Sequence, residues 1–325
     1  MGQQKRSWFI ETYSGPPERC DQWLTKHTGH RRSFVQRWFL SPGVYVNQKR
    51  VKASHKLQGG SQVEIFTQPK LEETALHLEP IPMGLDILFE DEHLIVVNKP
   101  SGLSVHPGAG APVPTLLHGL LAHGLQGGDS SRPGIVHRLD KDTTGAIVAA
   151  KNVDAHAKLS IQFAEKTNQR QYLALLDGTL PTDHICVENH LYRDPKNRLK
   201  FCCAPETDKG KWSSSFFQVK KTYAHTLSLV EVTLKTGRTH QIRVHSEHLK
   251  APIIGDPLYG QSRDYPHSLP QNLRALLKPN RQMLHARTLG FQHPATGETL
   301  IFHADLPKDF KHLLDRLKPF QSDTE

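Results

Sequence analysis

An island of charge between two apolar segments constrains the fold of this chain more than any other feature. Residues 137–142, His-Arg-Leu-Asp-Lys-Asp, follow the β-branched pair at 135–136 and precede the apolar run 146–150. A short, continuously apolar run is typical of a buried strand, and Pro-Gly at 133–134 marks a turn before the island. Because burying a lone charge is very costly, the island must line a cleft or pair internally. We therefore predict a functional site here.

The two aspartates of the island are interpreted differently. Asp142, followed by two threonines, suits the turn-capping role that aspartate often has, whereas Asp140 is the candidate functional carboxylate. One alternative is a glycosidase pair, because side chains two residues apart on an extended loop point the same way at about 7 Å. That separation is near the range of inverting glycosidases.

The sequence of the island and the residues after it resembles the signature of the RluA family of RNA pseudouridine synthases. The match consists of His-Arg-Leu-Asp at 137–140 and Thr-Thr-Gly at 143–145, with Thr144 where the family usually has serine. The resemblance is nearly continuous from about Ile81 to Leu317. It implies an α+β pseudouridine-synthase fold: a long mixed, largely antiparallel β-sheet with flanking helices. It also implies catalysis without a cofactor.

The resemblance assigns roles to individual residues. It implies that Asp140 is the catalytic nucleophile, that Tyr172 is an active-site tyrosine, and that Arg243 pairs with Asp140 and keeps it ionised. From periodicity alone, a tyrosine in the strand 170–175 would be ordinary packing. The resemblance further implies RNA contacts by His137, Arg138 and Ile242, with Arg138 filling the space that a flipped-out base leaves.

The net charge of +9 is concentrated near the N-terminus. Between Arg19 and Lys70, ten lysine or arginine residues stand against two acids, Asp21 and Glu64. A merely solvated surface would interleave both signs of charge. The segment is therefore predicted to bind a polyanion.

Residues 18–68 resemble an S4 RNA-binding domain, in which two short helices (18–27 and 33–40) precede a small β-unit. The landmarks are Arg-Arg-Ser at 31–33, Gln36 and residues 43–47, while Gln48 and Ser61 depart from the usual pattern. A polar, proline-bearing connector separates this module from a catalytic domain predicted at 81–325. The expected RNA contacts of the module are Arg31, Arg32, Arg37 and Lys49.

Several further elements are predicted from apolar periodicity and capping signals. They are strands at 85–89, 94–98 and 230–234, a helix at 115–122, a helix capped by Asp154 and running to 166, and a helix capped by Thr239 and running to 249. Residues 1–17 give no clear signal. Residues 181–222 suggest an inserted basic-polar hairpin region.

Other classes of function are excluded by missing motifs. His240, His245 and His248 do not have H-E-x-x-H spacing, so no metal site is predicted. No G-x-G-x-x-G follows a strand, so no nucleotide cofactor is expected. Four cysteines without a C-x-x-C pair suit a reducing cytosol, and no run approaches the ~20 apolar residues of a membrane span. We expect a cytoplasmic monomer that does not bind membranes.

The sequence thus predicts an enzyme that isomerises uridine to pseudouridine in structured RNA. The target uridine must be flipped out of its stack, its C1′–N1 bond broken by Asp140, and the freed uracil kept in a closed pocket. Asp140 either attacks the nucleoside or removes a sugar proton, and Tyr172 is the candidate base for the C5 proton. The S4-like module favours large-subunit ribosomal RNA. The alternatives are a synthase acting on tRNA and an RNA-binding scaffold whose active site has decayed.

Overall fold

The computed structural model describes residues 9–29, 35–36, 38–39, 43–66, 78–108, 113–128, 132–204, 210–260, 271–277 and 279–322. The chain divides into two compact units, Met1–His77 and Leu78–Glu325. Each unit has hydrophobic clusters of its own, so the packing of each unit is described separately.

The first unit is a small β-structure with one described helix. Its elements are β1 (Phe9–Tyr13), β2 (Glu18–Arg19), α1 (Cys20–Thr28), β3 (Val44–Val46), β4 (Lys49–Arg50), β5 (Lys56–Leu57) and β6 (Ser61–Ile65). Four strands form a sheet in the order β1-β6-β3-β4, and β2 pairs with β5. The core is built on Trp23, Leu24, Val44, Val63 and Ile65.

The start of this unit differs from the sequence analysis in two respects. Residues 9–13 form a strand that pairs antiparallel with β6 over the whole of its length, a pairing with a partner some fifty residues away that local signals cannot reveal. The helix begins at Cys20, because Glu18 and Arg19 are extended and pair with Leu57 and Lys56. Half of the second predicted helix lies outside the described residues, and positions 35, 36 and 38 within it are helical. Arg31, Arg32 and Arg37 lie outside the described residues.

The second unit holds a long sheet and most of the helices. Its strands are β7 (Ile87–Glu90), β8 (Leu94–Lys99), β9 (Thr144–Ala150), β10 (Gln169–Asp177), β11 (His184–Arg193), β12 (Phe201–Ala204), β13 (Lys211–Tyr223), β14 (Leu227–Leu234), β15 (Leu284–Gln292), β16 (Thr299–His303) and β17 (Gln321–Ser322). Its helices are α2 (Leu116–Leu121), α3 (Val153–Glu165), α4 (Gln241–His248), α5 (Gln271–Leu276), α6 (Lys308–Leu317) and the 3-10 turn Lys318–Phe320.

The strands form one mixed sheet in the order β12-β11-β13-β14-β10-β15-β9-β8-β7, with β16 beside β15 and β17 beside β13. The pairings are antiparallel except for the short parallel contact between β9 and β15. This arrangement is the long, largely antiparallel mixed sheet that the sequence predicts. Helices α2 and α3 contribute to separate hydrophobic clusters beside it.

The apolar runs of β8 and β9 are buried on both faces of the sheet. Ile95, Val97 and Ile147 belong to the main hydrophobic cluster, to which α2 contributes. The alternating residues Val96 and Val148 belong to a second cluster with α3. A strand covered on both faces has no polar face, which explains the absence of alternation in these segments.

Some local predictions need correction. The predicted hairpin region at 181–222 contains antiparallel pairs of β11 with β12 and of β11 with β13, but it is not a separate insertion, because these strands extend the main sheet on one side. Asn152, not Asp154, caps α3, and its side chain accepts a hydrogen bond from the backbone N of Ala155 at 2.8 Å. His240, not Thr239, is the N-cap of α4. In the part of the chain that the structure describes, no helix has the length and apolar character needed to cross a membrane.

Candidate active site

Asp140 lies on a loop that borders a cleft of about 430 Å³. The loop, residues 136–143, connects the bridge residue Ile135 to β9. The other walls come from β10 around Tyr172 and from the first residues of α4. The Asp140 side chain keeps 18% of its surface exposed, so the carboxylate is open to a ligand in the cleft.

A buried lysine fixes the loop that carries Asp140. The Lys99 ammonium, at the end of β8, donates to the backbone O of Lys141 at 2.8 Å. It also donates to the carbonyl O of Pro100 at 2.7 Å and of Leu103 at 2.9 Å. Burial lowers the pKa of Lys99 to about 7, while three acceptors match the three N–H groups of an ammonium. Lys99 therefore ties the sheet to the peptide next to Asp140.

Arg243 holds the carboxylate of Asp140, and a second aspartate holds Arg243. Arg243 Nη1 donates to Asp140 Oδ2 at 3.1 Å, while Nε and Nη2 donate to the two oxygens of Asp256 at 2.6 and 2.9 Å. Asp256 Oδ1 also accepts from the backbone N of Leu258 and of Tyr259. Burial lowers the pKa of Arg243, but hydrogen bonds and the charges of both aspartates outweigh it, and the net shift is upward.

The end of the island is fixed by a buried histidine and by a glycine. Thr144 Oγ1 lies 2.8 Å from His285 Nδ1, and His285 Nε2 lies 3.1 Å from the carbonyl O of Ala304. Because the carbonyl can only accept, Nε2 carries the proton and the Thr144 hydroxyl donates to Nδ1. Gly145 has a φ of +116°, and a Cβ there would lie 2.1 Å from the O of Ala286. A side chain at 145 would separate β9 from β15.

Tyr172 reaches the cleft from an irregular point of β10. The register between β10 and β15 shifts between Gln171 and Tyr172, and such bulges re-aim a side chain. The Tyr172 side chain lines the cleft and is 8% exposed. Burial raises the pKa of Tyr172, the neighbouring Arg170 lowers it and Asp140 raises it again, with a net upward shift. The phenol is therefore protonated at neutral pH.

His240 adds a third side chain beside Asp140. Its Nε2 lies 3.9 Å from Asp140 Oδ2, and its Nδ1 lies 3.0 Å from the hydroxyl of Tyr259. The backbone of His240 is left-handed, with φ at 56°, a conformation that costs free energy in a non-glycine residue. Burial lowers the pKa of His240 although Asp140 opposes the shift, so the ring is neutral at pH 7.

Comparisons with known proteins find similar chains over most of this sequence. The family model described as RNA pseudouridylate synthase matches residues 93–248, a range that contains Asp140, Tyr172 and Arg243. Ribosomal large subunit pseudouridine synthase D of Neisseria meningitidis serogroup A is 43% identical over 89% of this chain and 75% of its own length. The RNA pseudouridine synthase YlyB of Bacillus subtilis is 41% identical over 93% of this chain and 94% of its own.

This chain belongs to the RNA pseudouridylate synthase family. A solved structure supports the assignment: human RNA pseudouridylate synthase domain containing 4 superposes with a TM-score of 0.56, at 27% identity, over 74% of this chain and 94% of its own. The α+β fold and the pseudouridine synthase activity predicted from the sequence are confirmed.

The residues expected to contact RNA in this synthase occupy different environments. Arg138 is exposed at the cleft, with Nη1 3.5 Å from His106 Nε2. Ile242 also lines the cleft but is 4% exposed. Lys49 is exposed on β4, and Arg31, Arg32 and Arg37 lie outside the described residues.

His137 is committed to the protein itself. Its Nε2 accepts a hydrogen bond from the backbone N of Val148 at 3.1 Å, and its ring stacks on Phe163 with centroids 4.4 Å apart. Burial, with a smaller effect of Arg170, lowers the pKa of His137 to about 3. The neutral ring supports the loop before Asp140, and RNA contact by this side chain stays a prediction.

Asp142 is not among the described residues that line the cleft. Its backbone O accepts from Arg281 Nη1 at 3.2 Å. The synthase cleft therefore offers one carboxylate from the island, which counts against a glycosidase pair. Among the described residues, no group of three or more His, Cys, Asp or Glu is placed to hold a metal ion.

Three residues of the site were missed by sequence reasoning: Lys99, Asp256 and His285. Lys99 precedes a proline at a strand end, and Asp256 stands in Gly-Asp-Pro-Leu-Tyr-Gly. No local pattern gives any of the three residues a role of its own. A buried charge must find a partner, but only the fold shows that these partners are the Asp140 loop and Arg243.

Proposed function

We propose that this synthase converts specific uridines of ribosomal RNA to pseudouridine, with Asp140 as the carboxylate that acts on the target nucleoside. The observation that carries the proposal is the Arg243 contact to Asp140 in a cleft of nucleotide size. The ribosomal target is supported by relatives such as the Neisseria enzyme, named a ribosomal large subunit pseudouridine synthase.

The reaction asks three things of the site. The C1′–N1 bond of uridine breaks, the uracil turns within the cleft, and C5 bonds to C1′ with loss of the C5 proton. Asp140 either attacks the nucleoside or removes a sugar proton, and both routes need its ionised carboxylate. The Arg243 guanidinium stabilises that charged form and fixes the direction of the Oδ2 atom.

Tyr172 is the proposed acceptor of the C5 proton. Because burial raises its pKa, the phenol oxygen takes that proton only as its own proton passes to water in the cleft. In the resting enzyme the hydroxyl is a hydrogen-bond donor. Arg138, exposed beside Asp140, is the proposed side chain that enters the RNA where the target base has left the stack, a step that costs a few kcal/mol.

The test of the proposed function is release of tritium from RNA labelled at uridine C5. Wild-type protein should release tritium from large-subunit ribosomal RNA and much less from tRNA supplied separately. Asp140→Asn should abolish release while RNA affinity stays within about tenfold. Asp142→Asn is the matched control and should remain active, since Asp142 is not a lining residue.

Two results would count against the proposal. If Asp140→Asn turned over RNA at more than about a thousandth of the wild-type rate, Asp140 would not be the catalytic carboxylate. Release from tRNA but not from ribosomal RNA would replace the proposed substrate. Mapping pseudouridines in total RNA with and without the protein identifies the modified positions.

The first unit is the proposed RNA anchor, an S4-like module of residues 18–68, and residues 81–325 are the proposed catalytic domain. Phosphate contacts set the salt dependence of RNA binding, at about 0.7–0.9 log units per neutralised phosphate. If about four basic side chains of the module contact phosphates, removing residues 1–68 should flatten the log–log salt slope by roughly three. An unchanged slope would show that this unit is not the anchor.

We further propose that the synthase acts as a monomer, without a metal or nucleotide cofactor, in the cytoplasm where ribosomal RNA is assembled. Chelator and gel filtration experiments test the independence from metal and the monomeric state. Tritium release should persist in EDTA, and the protein should elute at the mass of one chain, 36.7 kDa.

A further inference from the structure

A half-buried tryptophan stands beside the cleft with no packing role in the core. Trp212 lies on β13, and within the described residues it belongs to none of the hydrophobic clusters or to the partly buried side chains packed against them. Large aromatic side chains usually contribute to a core or an interface. Trp212 therefore calls for an explanation other than packing.

Cationic side chains from two other elements converge on this tryptophan. The Lys166 ammonium, at the end of α3, lies 4.6 Å from the ring centroid, and the Lys235 ammonium, after β14, lies 5.5 Å from it. Arg238 Nε donates to the backbone O of Trp212 at 3.0 Å. Both lysines are exposed, and among the described residues neither forms a salt bridge with a carboxylate.

The cluster Trp212, Lys166, Lys235 and Arg238 adjoins the mouth of the active-site cleft. Lys166 and Arg238 are themselves lining residues of that cleft. Among its described lining residues, six are lysine or arginine and one, Asp140, is a carboxylate. The six are Arg132, Arg138, Lys166, Arg170, Arg238 and Arg243. Such a cleft attracts a polyanion, and the indole lies next to Lys166, one of the residues that line it.

Base stacking on an indole is stronger than an exposed cation–π contact, so a nucleotide base is favoured over a lysine ammonium on the face of Trp212. An exposed cation–π contact changes an equilibrium by a factor of about 2 to 5. Stacking of a base on an aromatic side chain changes it by a factor of about 5 to 150. A base can thus displace the lysines from the ring, and their ammonium groups remain close enough to contact the phosphates beside that base.

We propose that Trp212, with Lys166, Lys235 and Arg238, is a nucleotide subsite next to the catalytic cleft. The indole stacks on the base of a nucleotide that neighbours the target uridine in the RNA, and the lysines contact its phosphates. The subsite holds the strand on one side of the flipped uridine and accepts any base, because every base has a face that can stack. The inference rests on the proposed RNA-modifying function.

The test uses the full chain carrying Asp140→Asn, so that binding is measured without turnover. The probe is a single-stranded oligouridine of about twelve nucleotides with one 2-aminopurine, whose fluorescence falls when it stacks on an indole. Adding Trp212→Leu should abolish most of the fluorescence change and raise Kd about 5- to 150-fold. Trp212→Phe, which keeps a stacking ring, should lie between the two.

Phe216→Leu is the matched control, since Phe216 is an exposed aromatic on the same strand and is not among the described lining residues. It should leave both Kd and the fluorescence change as they were. Circular dichroism and the Tm identify any variant that fails to fold. If Trp212→Leu does not fold, the more conservative variant Trp212→Phe is compared with the parent protein instead. Lys166→Gln with Lys235→Gln should flatten the salt slope by about 1.4 if each lysine meets one phosphate of the single strand.

The proposal is overturned if Trp212→Leu binds and quenches like its parent, or if Phe216→Leu loses as much as Trp212→Leu. An unchanged salt slope in the double lysine variant would show that the two lysines do not contact RNA phosphates. In the otherwise wild-type chain, Trp212→Leu should raise KM with little change in kcat. Tritium release absent from wild type, with tryptophan-dependent binding intact, would instead reject the proposed function and leave the subsite standing.

Discussion

Arg243 is bound more closely by Asp256 than by Asp140. Two hydrogen bonds, of 2.6 and 2.9 Å, join the guanidinium to Asp256, while one of 3.1 Å joins it to Asp140. The Asp256 side chain is fully buried, whereas that of Asp140 is partly exposed. A bidentate pair fixes both position and plane of a guanidinium. Asp256 thus orients Arg243, and Arg243 in turn orients Asp140.

Asp256→Asn should destabilise the protein and impair turnover together. An amide NH₂ would face the guanidinium in place of an acceptor oxygen, and breaking a buried ion pair costs roughly 3–5 kcal/mol. Misplacement of Arg243 by about 1 Å should lower kcat about 10²-fold. Denaturant unfolding and tritium release measure the two effects.

Asp309→Asn supplies a control of matched geometry. Arg281 and Asp309 form the same bidentate pair, with distances of 2.6 and 2.9 Å, but the Asp309 side chain is 51% exposed. Solvent screening should limit its cost to about 1 kcal/mol, with kcat little changed. Equal losses of kcat in the two variants would show that Asp256 has no special relation to the active site.

Tyr172→Phe should leave the fold intact and lower kcat by roughly 10²–10⁴ if the hydroxyl takes part in proton transfer. The ring remains to fill the same space in the core cluster, so Tm should change little. Unaltered kcat in a folded variant would reduce Tyr172 to a packing residue. Rapid-quench kinetics separates the chemical step from product release.

Thr144→Val should cost about 1–3 kcal/mol of unfolding free energy. The substitution keeps the shape of the side chain but leaves the buried Nδ1 of His285 without its donor. Thr144→Ser retains the hydroxyl and should cost less. A serine variant less stable than the valine variant would mean that the methyl group, not the hydroxyl, is what matters here.

Stability should fall with acid between about pH 6.5 and pH 4. Burial lowers the pKa of His245 and of His285 from 6.5 to about 4, and both side chains are fully buried. In that window the unfolded chain binds more protons, so unfolding free energy decreases as pH falls, by about 1.4 kcal/mol per pH unit for each histidine.

His245→Gln should reduce that slope by the contribution of one proton, whatever its effect on absolute stability. His312→Gln, at an exposed position of α6, is the control for the substitution of a histidine by glutamine. Unfolding free energies from denaturant titrations at four or five pH values decide between them. Parallel lines for wild type and His245→Gln would contradict the assignment.

The charge island at 137–142 could be located from the sequence, because its physical demands are local. A run of charge between two apolar segments requires a cleft, and the spacing within 137–145 carried the resemblance that names the chemistry. The buried strands β8 and β9 and the helix α2 could likewise be predicted, since a short continuous apolar run and leucines at helical spacing are both patterns of neighbouring residues.

Pairings between distant segments could not be predicted in the same way. Strand β1 pairs with β6, and strands β11 to β13 extend the main sheet. The local sequence patterns of these strands are too weak to indicate their partners. Strand pairing depends on a partner whose distance along the chain is not encoded in either segment. The sequence therefore assigns no structure to residues 9–13, and it predicts a hairpin region at 181–222 without its place in the main sheet.

The supporting shell of the active site was decided by tertiary structure alone. Lys99, Asp256 and His285 lie 41, 116 and 145 positions from Asp140 along the chain, and each acquires its role through a contact the fold creates. By itself the sequence determined which residues could carry charge and chemistry. Only burial decided which of those charges had to pair, because the cost of an unpaired charge arises once water is excluded.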